Sequence, residues 1–172
     1  MKQMKRTILT SIMVVIITQL ALSQRFAYVD TEYILNKLPS YQTALTKLDG
    51  FSKTWQKEIE DKFAEVEKKY KEFQNEKVLL TEEMKKIREE EIVQLEKNAK
   101  DLKKKYFGVD GELFKKREEL IKPIQEEIYN AIKQLAADGN YAMIFDVAAG
   151  ATLLYTDEKY DVSDDVLKKI NF

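Results

Sequence analysis

Hydrophobic positions in the middle of the chain repeat at steps of three and four residues, with charged residues between them. The mean step is about 3.5 residues, which is typical of a coiled coil. A second periodic run begins at Met84 and extends to Leu135. The pattern therefore predicts two long amphipathic helices. The apolar positions of the first helix are Leu48, Phe51, Trp55, Ile59, Phe63, Val66, Tyr70 and Phe73.

A break in the pattern at residues 78–81 predicts a turn between these helices. Thr81 followed by Glu82 and Glu83 is typical of a helix start, because acidic side chains are favourable near the positive end of a helix. Two such helices joined by a tight turn should fold back as an antiparallel hairpin. In that register, Trp55 lies opposite residues 106–108.

Two glycines and a proline interrupt the second periodic run. Gly108 and Gly111 are each about 1 kcal/mol less favourable than alanine within a helix. Pro123 removes a backbone donor and should bend its helix. We interpret the glycines as making room for the Trp55 indole or for a bend, and a tolerated local weakness is the alternative. Gly108, Gly111 and Pro123 form the predicted arm hinge, and Gly139 should close the last long helix.

Apolar strands are predicted near both ends of the chain. Residues 26–29, 140–147 and 151–156 are rich in aromatic and β-branched side chains, and Gly150 marks a turn between the last two segments. A lone two-stranded hairpin is marginally stable in water. The C-terminal hairpin should therefore pair with residues 26–29 and with further strands.

Small polar residues mark the starts of the remaining helices. Asp30 or Thr31 can begin a two-turn helix that stops before Pro39, and Ser40 can cap the long helix that follows. Ser163 can cap a short terminal helix, which has acidic residues in its first turn and lysines in its last.

The first 23 residues have the pattern of a secretory signal peptide. Three basic residues precede an apolar run over residues 8–22, and small residues lie near its end. The run is short for a membrane span and contains polar residues, so we predict cleavage after Ser23, with an uncleaved anchor as the alternative. The chain has no cysteine, which excludes a lipid-anchored lipoprotein and is compatible with export.

Charge and composition narrow the possible functions. Removing residues 1–23 and their three basic side chains leaves 26 basic and 30 acidic residues, so the sequence predicts no nucleic-acid partner. Residues 52–106 carry 15 basic and 14 acidic side chains, as expected for a solvated helix surface with weak i,i+4 pairs. A polar, adaptable contact surface is a compatible interpretation.

The sequence indicates no enzyme, no cofactor and no metal. It has neither histidine nor cysteine, and it contains no G-x-S-x-G turn or glycine-rich phosphate loop. The acidic stretch DEKYDVSDD does not fit a calcium loop, because Lys159 occupies its third position and the required glycine is missing.

Both ends of the chain resemble Skp/OmpH-like periplasmic chaperones. The segments that carry this resemblance are FAYVDTEYILNKLPSYQTALTKLD near the start and LIKPIQEEIYNAIKQLAADGNYAMIFDVAAGATLLYTD near the end. The resemblance covers residues 24–172 and implies one α+β, mostly α domain. A long antiparallel coiled-coil helical hairpin, the arm (residues 52–106), is attached to a small β body that completes itself by trimerisation.

The body comprises residues 24–51 and 107–172, and its sheet is expected to be buried between subunits and helices. The residues predicted for this trimer body are Phe26, Tyr28, Val29, Tyr141, Met143, Ile144, Phe145, Leu153, Leu154 and Tyr155.

The resemblance implies an ATP-independent periplasmic holdase that binds unfolded outer-membrane proteins in a cavity between helical arms. The predicted client contacts are Val78, Leu79, Leu80, Met84 and Ile92, with packing of the hairpin turn as the alternative for all five. A structural or adaptor coiled-coil protein of the cell envelope is the alternative function. Members of the family are strongly basic whereas this chain is mildly acidic, so we predict at most indirect membrane contact.

Overall fold

The computed structural model describes residues 25–148, 150 and 153–170. The predicted signal peptide lies outside the described residues, as do Ala151 and Thr152. The chain forms two compact units: unit one contains residues 25–34 and 128–170 of the described chain, and unit two contains residues 35–127. In chain order the elements are β1 (Arg25–Val29), α1 (Thr31–Lys37), α2 (Pro39–Glu76), α3 (Glu82–Phe107), α4 (Glu112–Gly139), β2 (Tyr141–Asp146), a 3-10 turn (Glu158–Tyr160) and α5 (Ser163–Lys169).

Unit one contains a two-stranded parallel sheet. Strand β1 pairs with β2, so that Phe26 lies beside Met143 and Tyr28 beside Phe145. A parallel pair needs a long crossover, and residues 30–140 supply it here. Tyr28 also forms a parallel bridge with Asp161. The predicted pairing of residues 26–29 with residues 140–147 is therefore confirmed.

The second strand of the predicted C-terminal hairpin, residues 151–156, does not form in residues 153–156, the part of it that the structure describes. Leu153, Leu154, Tyr155 and Thr156 have irregular backbone, so the strand prediction is wrong for these four residues. Strand β2 takes its partner from β1 instead. The physical reason is that β-propensity expresses fit to a paired and packed surface, which residues 153–156 do not find within this chain.

The core of unit one lies between the sheet, α1, α4 and α5. Its most deeply buried side chains are Val29, Ile34 and Val166. Ser163 is also buried, and its Oγ accepts a hydrogen bond from the Asp30 amide at 2.9 Å. The N-cap of α5 is Val162, so the predicted capping role of Ser163 is wrong. The serine hydroxyl instead supplies an acceptor to a backbone amide distant in sequence.

Unit two is built around the predicted helical hairpin. Thr81 caps α3, because its side chain accepts a hydrogen bond from the Met84 amide at 3.3 Å. Helix α2 begins at Pro39 with Leu38 as its N-cap, so the predicted cap at Ser40 is wrong. Proline is well suited to the first helical position because that residue needs no amide donor. The buried seam comprises Leu48, Ile59, Phe73 and Ala99.

The second leg of the hairpin, which runs from α3 into α4 and is called the return leg, is interrupted between Phe107 and Glu112. The Gly108 amide donates to the Lys104 carbonyl at 2.8 Å, and the Gly111 amide donates to the Gly108 carbonyl at 2.9 Å. A Cβ at Gly108 would overlap the Lys104 carbonyl oxygen, not the Trp55 indole. The glycines therefore form a break in the helix, and the interpretation that Gly108 makes room for the indole is wrong.

Helix α4 continues through Pro123 and ends at Gly139. The left-handed residue that follows is Asn140, with a φ of 51°. Asparagine adopts this conformation more readily than most residues, so Asn140 suits the end of α4 before β2 begins. No helix in the described part of the chain is both long and apolar enough to cross a bilayer.

Candidate interaction surfaces

Unit one has a groove with a volume of about 510 Å³ beside the two-stranded sheet. Strand β1, strand β2 and the segment of residues 153–160 all contribute to it. Six of the predicted trimer-body residues line this surface, which we call the body groove: Phe26, Tyr28, Tyr141, Phe145, Leu153 and Tyr155. The structure thus brings residues from three separate segments to one apolar surface.

The other four predicted body residues lie elsewhere. Val29 is in the core of unit one, and Ile144 is half-buried. Met143 is exposed, and Leu154 is 96 % exposed. An aliphatic side chain in that environment gains no burial within its own chain. These exposed positions extend the apolar surface that unit one presents beyond the body groove.

Arg25 lines one edge of the body groove. It was not predicted as a functional residue. Its guanidinium lies 4.6 Å from the centre of the Tyr141 ring and donates to the Gly139 carbonyl at 2.9 Å. A cation is favourable at this position because it lies over a ring face and beside the carbonyl end of α4. Nothing in the local sequence indicated this role, since Arg25 and Gly139 are 114 residues apart.

The predicted client contacts in unit two divide into exposed and packed side chains. Val78 is 90 % exposed and Leu79 is 86 % exposed, and Met84 is also exposed. Leu80 and Ile92 are half-buried. We call the exposed trio Val78, Leu79 and Met84 the tip patch.

Two further exposed aliphatic side chains, Ile87 and Val93, were not predicted as contacts. Ile87 also fits the apolar period of the run that begins at Met84, yet it is exposed. The spacing of apolar residues alone does not distinguish a side chain buried at the centre of the seam from one exposed at its edge.

Ring stacking and a hydrogen bond to a carboxylate connect α3 with α2. The ring of Trp55 lies 5.5 Å from that of Phe51 and 4.8 Å from that of Tyr106. The Tyr106 hydroxyl donates to a Glu58 carboxylate oxygen at 2.8 Å, which raises the pKa of Tyr106. We call these four residues the aromatic clasp. The predicted placement of Trp55 opposite residues 106–108 is confirmed.

A second apolar groove, of about 520 Å³, lies beside the break between α3 and α4. Leu45 and Leu48 of α2 line one part of it, and Val109 and Phe114 line another. Val109 is 90 % exposed. Val109 fits the apolar period of the second run, but it lies in the break between α3 and α4 and is not part of the seam.

Charges on the hairpin are mostly paired with near neighbours on the same helix. An exception is Glu91, whose carboxylate contacts Lys69 of α2 at 3.3 Å and Arg88 of α3 at 3.2 Å. These cations lower the pKa of Glu91. Exposed pairs of this kind contribute only tenths of a kcal/mol each, so the seam provides most of the hairpin's stability.

No cluster of three or more acidic side chains in the described part of the chain could hold a metal ion.

Comparison with known proteins identifies the family. No curated protein sequence matches the chain. The fold is similar to that of an OmpH-like protein from Caulobacter crescentus CB15, proposed to be an outer membrane chaperone. That structure aligns with a TM-score of 0.72 and 9% sequence identity over 86% of this chain and 84% of the other.

This likeness confirms the predicted α+β, mostly α fold, with long helices and a small sheet. A sequence model of the family described as outer membrane protein (OmpH-like) matches residues 25–170. The chain therefore belongs to the OmpH-like outer membrane protein family.

Proposed function

We propose that this protein is an ATP-independent holdase chaperone of the periplasm. It binds unfolded outer-membrane proteins between the helical arms of a homotrimer and prevents their aggregation. The observation that carries the proposal is the apolar surface left uncovered in each unit, at the body groove and at the tip patch. Family membership supports the same function, because a related structure is proposed to be an outer membrane chaperone.

The body groove is the proposed contact between subunits. A two-stranded sheet is marginal by itself, and contiguous exposed apolar surface marks an interaction site. Closed symmetry would place the same groove in every interface of the trimer. Leu153, Leu154 and Tyr155 would then find the paired surface that a single chain does not provide.

The tip patch is the proposed contact with clients. Val78, Leu79 and Met84 offer flexible aliphatic surface that can touch many sequences, and a holdase needs no catalytic residue or cofactor. The half-buried Leu80 and Ile92 would support this surface from the hairpin side. Flexure at Gly108, Gly111 and Pro123 would adapt the arm to clients of different size.

Export by a cleaved signal peptide over residues 1–23 would place the protein in the same compartment as these clients. The proposal includes no nucleic-acid partner and at most indirect membrane contact.

The proposal is tested with the mature protein, residues 24–172, and an outer-membrane protein diluted from urea. We expect the mature protein to keep the client soluble in light-scattering measurements. Replacing both Val78 and Leu79 by serine should reduce this protection several-fold, because it removes the most exposed aliphatic surface of the tip patch. Val93→Ser, an exposed position outside that patch, is the matched control.

Unchanged precipitation in the presence of the wild-type protein would refute the holdase function. A stable complex with one folded envelope protein and no effect on unfolded clients would favour the adaptor function instead.

A further inference from the structure

Helix α2 contains a glycine that its packing does not require. A Cβ built at Gly50 would meet no atom within 4 Å. By contrast, a Cβ at Gly111 would lie 2.7 Å from the Tyr106 carbonyl oxygen, so the break has no room for one. Glycine inside a helix is less favourable than alanine by roughly a five-fold factor in the helix equilibrium. Alanine would therefore fit at position 50 and stabilise the helix in this conformation.

The Gly50 carbonyl also accepts a threonine hydroxyl, as the Pro39 and Gln42 carbonyls do earlier in α2. The Thr54 hydroxyl donates to the Gly50 carbonyl at 2.9 Å. A threonine that bonds to the carbonyl four residues earlier offers an alternative to the helical amide, and such contacts often accompany bends. Gly50 thus combines a missing side chain with a carbonyl that already has a second donor.

Gly50 lies at the level of the break in the return leg. The ring of Phe51, the next residue along α2, lies 5.8 Å from the Lys116 ammonium near the start of α4. The groove beside the break also has Asp49 on one side and Gly108 on the other. Both legs of the hairpin therefore contain glycine at one level, in α2 and in the break between α3 and α4.

The aromatic clasp begins immediately beyond that level. Phe51, Trp55 and Tyr106 stack in sequence, and Glu58 binds the Tyr106 hydroxyl. The stack ties the last turn of α3 to α2 just before Gly108. Farther along the hairpin, the buried side chains of Ile59, Phe73 and Ala99 hold α2 and α3 together.

We propose that Gly50 and the break at residues 108–111 form a paired hinge. Bending at the break in α3–α4 must also deform α2, because α2 is continuous through that level. Gly50 supplies the second pivot, and the aromatic clasp makes the hairpin beyond it move as a unit. This inference concerns motion within unit two and does not depend on the proposed chaperone function.

The test measures amide hydrogen exchange of the mature protein without any client. In the wild type, amides of residues 50–54 should exchange at least ten-fold faster than seam amides of residues 59–73. Gly50→Ala should slow exchange at residues 50–54 about five-fold and leave residues 59–73 unchanged. Asn75→Ala is the control, since it also raises helix propensity in α2 but lies near the turn.

Tyr106→Phe provides an independent check on the aromatic clasp, because it removes the bond to Glu58. It should increase exchange in the last turn of α3 and shift the emission of Trp55, the only tryptophan. Equal exchange at residues 50–54 and 59–73 in the wild type would overturn the hinge. Uniform slowing along α2 in Gly50→Ala would also overturn it. A holdase-inactive protein with the expected exchange pattern would refute the chaperone function alone.

Discussion

At the scale of single residues, side chains join segments that are distant in the sequence. The Ser163 hydroxyl accepts from the Asp30 amide and donates to a carboxylate oxygen of Asp161 at 2.6 Å. Nearby, the Thr31 hydroxyl donates to the Asp146 carboxylate at 2.7 Å. These bonds connect the start of α1 with the end of β2 and the start of α5, so they contribute to the core of unit one.

Ser163→Ala should destabilise the protein by about 1 to 3 kcal/mol, because the Asp30 amide would lose its acceptor in a partly buried place. Urea unfolding of the mature protein measures the difference. Ser40→Ala, at an exposed position without a cap role, is the control and should change stability by a few tenths of a kcal/mol at most. Equal stabilities of the two variants would contradict a bonding role for Ser163.

The pKa of Tyr106 should be above the ordinary tyrosine value of about 10, because Glu58 accepts a hydrogen bond from its protonated hydroxyl. A raised folded-state pKa gives a stabilising contribution that is fully present below the unfolded pKa. That contribution is lost as pH rises through the folded pKa. Carbon NMR titration of the tyrosine rings, assigned with Tyr106→Phe, should show this shift. In Glu58→Gln the titration should move back towards the ordinary value, and an unchanged titration would contradict the bond.

At the scale of elements, helix ends determine where the hairpin turns and breaks. Helix α3 begins after Thr81, whose hydroxyl caps it, and ends at Gly108, which has an extended conformation. Asn140 in the left-handed region follows the end of α4. Between these ends, apolar periodicity sets the pairing of α2 with α3. The placement of Trp55 against Tyr106 follows from where the turn lies.

Thr81→Ala should lower stability by about 1 kcal/mol, because the Met84 amide would lose its capping acceptor. The first turn of α3 should also exchange its amide protons faster. Thr46→Ala is a suitable control, since the Thr46 hydroxyl donates to the Gln42 carbonyl within the interior of α2 and does not cap a helix. That change should be neutral or slightly stabilising. Faster exchange in the Thr46 variant and none in the Thr81 variant would contradict the cap assignment.

At the scale of the whole molecule, exposed apolar side chains occur along much of the chain, and two groups of them lie close together in the sequence or the sheet. One group in unit one belongs to the sheet and to residues 153–155, and the tip patch belongs to the turn of the hairpin. Grouped apolar exposure is characteristic of interaction surfaces, while scattered exposure is ordinary. The two groups suit the two roles that we propose, subunit contact and client contact.

Replacing Leu154 and Tyr155 together by serine should raise the concentration at which the proposed trimer dissociates at least ten-fold. Both side chains are highly exposed in the single chain, so the change should act mainly on the assembly. Sedimentation velocity over a dilution series measures the effect. Leu79→Ser, at the tip patch, should leave the trimer intact. A wild-type protein that remains a folded monomer at nanomolar concentration would contradict the proposed assembly.

Features with local signals could be predicted from the sequence. The hairpin and its turn at Thr81 follow from apolar spacing and a cap within a few residues of the turn, and the register of Trp55 against Tyr106 then follows from the position of the turn. The body groove was partly predictable, since aromatic and β-branched residues indicated strands. Arg25 could not be predicted, because its partners are more than 100 residues away in the sequence.

The sequence by itself determined the long amphipathic helices and their turn, because apolar period and capping are local properties of the chain. Only the tertiary structure decided that β1 and β2 pair in parallel and that Ser163 serves the Asp30 amide. It also decided that the return leg breaks at Gly108 and that residues 153–156 do not form a strand. Each of these outcomes depends on which backbone groups come within hydrogen-bond distance once the chain has folded, and local propensity does not contain that information.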